Sequence, residues 1–184
     1  NCSPNKKYDI QQAADEIFHS QTATLSEDFK GCAILDSGAT SGLSSLIAAD
    51  DIQKSRQAYN EEGKPVLTES GKRFKFGDGG ATVIKHQVKM PISSGLLAGT
   101  TFTMNIVDKP GNTTLPLFPI SEMERLGMVV NFKRGLVQLE TNPTVWHKLP
   151  RSPTGLLMIP LTHEAVLKHC PSMTTESNFL MEEV

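Results

Sequence analysis

Apolar and polar positions along the chain predict a β-rich centre with a helical segment on each side. The run GCAIL at 31–35 is apolar and leads straight into Asp36 and a polar turn, as a buried strand does where it ends. Residues 73–107 alternate apolar and polar positions between glycine clusters, which is typical of successive β-hairpins. Residues 115–139 predict an apolar run, a short helix ending at Gly127, and two strands joined by a Lys-Arg-Gly turn.

The segments around this centre are predicted to be helices, loops and a tail. Residues 42–59 have the pattern of a helix, residues 60–72 are polar and loop-like, and another apolar piece follows at 155–161. The chain is therefore divided into three parts: an N-terminal helix and linker at 1–28, one β-rich domain at 29–161, and a C-terminal helix and tail at 162–184.

Length and charge restrict what this domain can be. A chain of 184 residues and 20.1 kDa supplies one hydrophobic core, so two full lobes do not fit. Eighteen basic and twenty acidic residues give a net charge of −2, which predicts no broad electropositive surface and therefore no nucleic-acid partner. The sequence contains no run of 18 apolar residues, so we expect no membrane partner.

The cysteines and histidines predict neither a disulfide framework nor a metal site. Cys2, Cys32 and Cys170 are widely spaced and form no Cys-x-x-Cys pair, which favours a reducing, cytoplasmic compartment. The segment 163–170 carries two histidines, a glutamate and a cysteine, but it lacks the second histidine of the His-Glu-x-x-His pattern. We interpret it as a solvated helix and expect no metal and no cofactor.

The sharpest chemical feature is the Asp-Ser-Gly-Ala-Thr segment that begins at Asp36. A strand that delivers an aspartate to a turn places its carboxylate at the edge of a core of low dielectric constant. The hydroxyl of Ser37 can bond neighbouring backbone, and Gly38 lets another chain approach closely. An ordinary polar turn after a strand has the same residue types, so these five residues alone leave both interpretations open.

The surroundings of Asp36 resemble the retroviral-type, retropepsin-like aspartic proteases, and in particular the protease segment of copia-type retrotransposon polyproteins. The resemblance implies an all-β acid-protease fold of one lobe with one or two short helices. Leu117-Phe118-Pro119 departs from the family, which has two apolar residues and a glycine there. The matching parts extend in order over about 110 residues: the strand and Asp-Ser-Gly-Ala-Thr element at 32–40, a Gly-rich hairpin at 73–92 where the family has its flap, a strand at 100–107, and the apolar loop, helix and strand at 115–139.

A second Asp-x-Gly-Ala-Thr segment surrounds Asp78, but it does not predict a second catalytic aspartate. It has glycine where the family requires serine or threonine, and it lies only 42 residues after Asp36, too near to belong to a second lobe. The resemblance places it at the tip of the flap, where glycine supplies the backbone freedom that a closing hairpin needs. An ordinary hairpin turn is the alternative. The predicted flap and substrate-binding residues are Phe76, Gly77, Asp78, Gly79 and Gly80.

Aspartic proteolysis needs two carboxylates that share one proton, and this sequence supplies one good copy. We therefore expect a homodimer with both copies of Asp36 at its two-fold axis, supported by Ser37, Gly38, Ala39 and Thr40. The expected substrate is a polypeptide, with the chain's own polyprotein as the natural one. The alternative is a catalytically weak, protease-like domain that dimerises or binds peptide.

Overall fold

The computed structural model describes residues 27–75, 81–109 and 111–173, which contain mostly β-strands and a few helices. This confirms the predicted β-rich character. Three α-helices are present in these residues: α1 (Leu46–Ala58), α2 (Ile120–Arg125) and α3 (His163–His169). The strands are β1 (Cys32–Asp36), β2 (Leu43–Ser45), β3 (Val66–Glu69), β4 (Arg73–Lys75), β5 (Ala81–Val83), β6 (His86–Pro91), β7 (Thr101–Val107), β8 (Leu117–Pro119), β9 (Val129–Asn131), β10 (Leu136–Leu139), β11 (Asn142–Lys148) and β12 (Met158–Pro160).

A seven-stranded sheet in the order β12-β1-β8-β2-β7-β6-β3 forms the centre of the described structure. Strand β1 lies between β12, which runs antiparallel to it, and β8, which runs parallel. The sequence of β1 is almost continuously apolar, as expected for a strand that has a neighbour on both sides and lies in a buried environment. The apolar piece predicted at 155–161 supplies β12 and so completes the surroundings of β1.

Strands β3 to β6 form one long antiparallel ribbon, whose inner pair, β3 and β6, belongs to the seven-stranded sheet and whose outer pair, β4 and β5, forms a sheet of two strands. The pairing of β3 with β6 continues into that of β4 with β5 through two bonds of 2.8 Å, from Ser70 N to Lys85 O and from Ile84 N to Lys72 O. The ribbon predicted at 73–92 is therefore present and begins earlier, at Val66. The prediction of a loop over 60–72 was wrong for β3, whose four side chains are all exposed, because pairing with β6 forms this strand rather than burial.

A smaller sheet, β11-β10-β9, covers the far end of the core. Val137 in its central strand is fully buried, and the predicted Lys-Arg-Gly turn joins β9 to β10. Gly127 follows α2 at a φ of 56°, and a Cβ there would lie 2.5 Å from the Glu140 side chain. Glycine is therefore required where the short helix ends, as the sequence predicts.

Helices α1 and α3 pack beside the central sheet. Helix α1 begins at Ser45, whose hydroxyl accepts a 3.1 Å bond from Ala48 N, and it buries Ile52 against the core. This confirms the helix predicted within 42–59. Thr162 begins α3 in the same way, with a 3.2 Å bond from Ala165 N. Across the described residues, no helix is long and apolar enough to span a membrane. The helix predicted in 1–28 falls almost entirely outside the described residues.

Candidate active site

Asp36 is the last residue of β1, and its side chain is half-buried at the edge of the core. The preceding Leu35 is 5% exposed, whereas the following Ser37 is exposed. The strand therefore carries the carboxylate from the interior to the surface within one residue. In the parallel strand β8, Pro119 lies opposite Asp36. The two strands end together, so the loop that follows β1 and the helix α2 that follows β8 both begin at this edge of the sheet.

The turn after Asp36 folds back onto its carboxylate. Gly38 N donates to Asp36 Oδ1 at 2.8 Å, and Ala39 N donates to the Asp36 carbonyl at 3.3 Å. An aspartate side chain that accepts from the backbone two residues later is a common way to stabilise a tight turn. A Cβ at Gly38 would lie 3.2 Å from Asp36 Oδ1, closer than a side chain usually comes. The turn fixes the orientation of the Asp36 carboxylate, and the absence of a side chain at Gly38 makes this close approach possible.

The first turn of α2 holds the middle of this loop. Ile120 N donates to the Ala39 carbonyl at 3.0 Å, and Ser121 Oγ donates to the Thr40 carbonyl at 3.1 Å. The N–H groups at the start of a helix have no partner within it, so the loop supplies an acceptor for one of them. Pro119 has no N–H to donate, and the bond to the loop comes from the next residue. The segment 36–40 is thus fixed by bonds from outside as well as within.

Asn105 in β7 holds the far end of the loop, a role that sequence reasoning missed. Its side chain is 2% exposed, and its Nδ2 donates to the Gly42 carbonyl at 2.8 Å beside the bond of 2.9 Å from its own backbone N. Gln87 Nε2 in β6 donates to Asn105 Oδ1 at 3.3 Å. A polar residue inside the apolar strand TFTMNIV was the signal available in the sequence.

The structure places the predicted loop residues together. Ser37, Gly38 and Thr40 are exposed, and Ala39 is half-buried. The loop therefore places Asp36 at the surface of the part of the chain that the structure describes. The predicted flap residues 76–80, including Asp78, lie outside the described residues, so their relation to Asp36 stays a prediction.

The segment 163–170 is occupied by packing contacts. His163 Nδ1 lies 2.9 Å from Ser94 Oγ, and Glu164 accepts a 2.7 Å bond from Ser55 Oγ. The ring of His169 stacks on Phe29 with centroids 4.7 Å apart, and burial lowers its pKa. Within 27–75, 81–109 and 111–173, no group of three or more histidine, cysteine or acidic side chains is placed to hold a metal ion.

The two cysteines in the described residues are unreactive side chains. Cys32 and Cys170 are both free and buried. Burial, and secondarily the neighbouring Cys170, raises the pKa of the Cys32 thiol to about 12. Burial also raises the pKa of Cys170 to about 11. Because the thiolate is the nucleophilic form of cysteine, neither residue is suited to act as a nucleophile.

Comparison with known proteins leaves the family of this chain open. No family model matches it, and no curated protein matches it. Among solved structures, it is similar to the crystal structure of the retroviral protease-like domain of Ddi1 from Leishmania major. The two share 13% sequence identity with a TM-score of 0.32, over 72% of this chain and 93% of that chain. The proposals below rest on the residues and contacts of this chain.

Proposed function

We propose that this chain is a retropepsin-like aspartic endopeptidase that is active as a homodimer. The observation that carries the proposal is the loop at 36–42. It holds one half-buried carboxylate by a backbone N–H, and three of its carbonyls accept bonds from α2 and β7. An ordinary polar turn needs no such anchoring, whereas a catalytic group must be held in place by its surroundings.

The chemistry requires a second carboxylate, which a second copy of Asp36 supplies. One carboxylate takes a proton from a water molecule as the water oxygen attacks the peptide carbonyl carbon. The other, protonated carboxylate donates its proton to the carbonyl oxygen, giving a tetrahedral diol. When the C–N bond breaks, a proton passes to the leaving nitrogen and the pair returns to sharing one proton. The exposed Ser37, Gly38 and Thr40 form the surface through which the two loops meet.

The substrate on this proposal is an extended polypeptide, and the chain's own polyprotein is the natural candidate. The outer pair of the ribbon, β4 and β5, continues beyond the seven-stranded sheet, and the inner strand β6 is joined to the loop through Gln87 and Asn105. An extended peptide bound beside such a ribbon would satisfy its backbone groups by adding a strand. Binding the substrate by adding it as a strand is the role proposed for the flap.

One observation favours the alternative, a catalytically weak domain that dimerises or binds peptide. Pro119 lies opposite Asp36 at the position where the resembling family has glycine. A proline there removes a backbone N–H and fixes φ, so the two loops of a dimer have less freedom to adjust. Both functions keep Asp36 and the dimer, and they differ in whether peptide bonds are cleaved.

Self-cleavage under mildly acidic conditions separates the two functions. The wild-type chain is expected to generate fragments in a reaction that pepstatin inhibits, and Asp36→Asn is expected to abolish them. Asp108→Asn is the matched control, because Asp108 is exposed and follows β7 away from the loop. Fragments that persist in purified Asp36→Asn would refute the proposed catalytic role of Asp36. A wild-type protein that cleaves no substrate, yet dimerises, would favour the binding domain.

Mixing tests the requirement for two aspartates. When inactive Asp36→Asn is added to a fixed amount of wild type, exchange produces mixed dimers that carry one Asp36. We expect the activity to fall as the mixed dimers accumulate, and the Asp108→Asn protein to leave it undiminished. Activity that stays constant while subunits exchange, as followed by sedimentation with labelled chains, contradicts a shared site.

A further inference from the structure

Four cations occupy the outer part of the ribbon formed by β3 to β6. Lys72, Arg73, Lys75 and Lys85, here called the basic ribbon, are all exposed, and residues 70–75 and 81–85 contain no acidic side chain. None of the four forms an ion pair with a carboxylate of the described residues. These four basic residues lie within 14 positions of one another in a chain whose net charge is −2.

The strand pairing brings these cations close to one another. Arg73 pairs with Val83, and Lys85 follows Val83 by two residues, so Lys85 lies just beyond β5, the strand beside β4, near the register position of Arg73. Arg73 and Lys75 are two residues apart in β4 and project from the same face. Like charges at this spacing repel one another, and an anionic partner removes the repulsion.

The basic ribbon is joined to the candidate active site through the base of the same hairpin. Lys85 immediately precedes β6, where Gln87 donates to Asn105 and Asn105 in turn donates to the Gly42 carbonyl. Two side-chain hydrogen bonds therefore connect β6, the strand that follows Lys85, to the loop that carries Asp36. A polypeptide bound at the loop and extending along the hairpin meets these cations.

We propose that the basic ribbon binds acidic segments of the polypeptide substrate, so that cleavage is favoured where an apolar run is flanked by aspartate or glutamate. The inference rests on the proposed function, because it assigns the substrate class of the same site. Residues 64–89 contain six basic and two acidic residues, whereas the rest of the chain contains twelve and eighteen. The complementary charge is thus present in the chain itself.

The sequence 174–184, TTESNFLMEEV, has the chemistry that the ribbon requires. It contains three glutamates, no lysine or arginine, and the apolar run Phe179-Leu180-Met181 between the acidic positions. A synthetic peptide of this sequence is therefore a suitable probe. Its matched control carries glutamine in place of Glu176, Glu182 and Glu183, which keeps the length and the apolar residues and removes the side-chain charge.

Binding is measured on full-length Asp36→Asn protein by fluorescence anisotropy of the labelled peptide, so that no cleavage occurs. All protein variants keep their own tail, so its competition is equal in each comparison. We expect the acidic peptide to bind about tenfold more tightly than the glutamine peptide at low salt, since three exposed ion pairs contribute modestly. The difference is expected to shrink at high salt. Equal affinity for the two peptides overturns the proposal.

Charge reversal locates the binding surface. Arg73→Glu/Lys75→Glu is expected to remove the preference for the acidic peptide. Lys133→Glu/Arg134→Glu makes the same change of charge on the exposed β9–β10 turn and is expected to keep the preference. An equal loss in both variants overturns the assignment to the ribbon. A single-stranded oligonucleotide of equal charge that displaces the peptide equally well also overturns it, because the site would then be a general polyanion site.

Cleavage by the wild-type protein separates this inference from the proposed function. If the acidic and glutamine peptides are cleaved at equal rates in an Asp36-dependent reaction, the function stands and the ribbon inference fails. If the wild-type protein cleaves neither peptide and generates no fragments of itself, but the acidic peptide binds tenfold better and Arg73→Glu/Lys75→Glu removes that preference, the binding surface stands and the catalytic proposal fails. These readouts are independent because binding is measured without cleavage.

Discussion

Arg56 and Glu61 form a buried ion pair whose loss should destabilise the fold strongly. The side chains are 2% and 3% exposed, and Arg56 Nη1 lies 3.2 Å from Glu61 Oε2. The guanidinium also donates to the carbonyls of Glu62, at 2.6 Å, of Gly63, at 3.1 Å, and of Pro91. Arg56 thereby joins α1 to the loop before β3 and to the end of β6.

The carboxylate side of the pair extends the same network to α3. Glu61 accepts a 2.5 Å bond from Ser93 Oγ and a 2.8 Å bond from the backbone N of His163. Replacing Arg56 by methionine leaves a buried carboxylate with these two neutral donors and removes the donors of three carbonyls. Breaking a buried pair by removing one partner costs about 3–5 kcal/mol. Because two donors to Glu61 remain, we expect the lower value, about 3 kcal/mol.

Urea denaturation followed by circular dichroism measures this loss, and a thermal midpoint lower by about 6–12 °C should accompany it. Lys54→Met is the matched control in the same helix. Lys54 pairs with Asp50 at 2.6 Å, but its side chain is 68% exposed, so we expect the stability of this variant to stay close to that of the wild type. If Arg56→Met stays within about 1 kcal/mol of Lys54→Met, the network does not stabilise the fold as argued.

Three further changes test the loop and the core. Gly42→Ala places a Cβ in steric conflict with the carbonyl oxygen of Thr103 and should destabilise the protein by about 1–3 kcal/mol, whereas Gly71→Ala, with open space around it, should not. Asn105→Ala removes both side-chain bonds and should lower the proposed peptidase kcat more than it raises KM, at a stability cost of about 1–2 kcal/mol. The Cys32 thiol should resist alkylation until unfolding. The pKa of Cys32 is raised in the folded protein, so above about pH 9 the thiol ionises in the unfolded chain but not in the folded one. The free energy of unfolding should therefore fall between about pH 9 and pH 12, and it should fall less steeply in Cys32→Ala.

Local patterns in the sequence were sufficient to predict the elements whose residues decide their own conformation. The strand ending at Asp36, the turn that follows it and the helix that stops at Gly127 all depend on short-range chemistry. The apolar run specifies burial, and a glycine at positive φ specifies where a helix ends. These are the elements that surround the candidate site, so much of its setting could be predicted.

The contacts that hold the loop depend on residues far apart in the chain, and no local pattern reports them. The partners of β1 come from 117–119 and 158–160, and Arg56 has the sequence surroundings of an exposed helical arginine. Strand β3 contains two apolar residues in an otherwise polar segment, and the sequence predicted a loop there. Its own composition does not indicate that it pairs with β6. Periodicity predicts which face is buried, but it does not predict which element covers it.

Pro119 shows how such a distant contact changes the meaning of a sequence difference. Judged from the sequence, proline in place of the family's glycine removes a donor and requires a different backbone beside Asp36. In the structure, Pro119 has φ −84° and ψ 166°, which proline adopts without strain, and it precedes α2 directly. The bond to the loop comes from Ile120 N, one residue later, so the missing N–H is not needed there. The loop that positions Asp36 is therefore held by bonds within one chain, and on the proposed function the second chain supplies the second carboxylate.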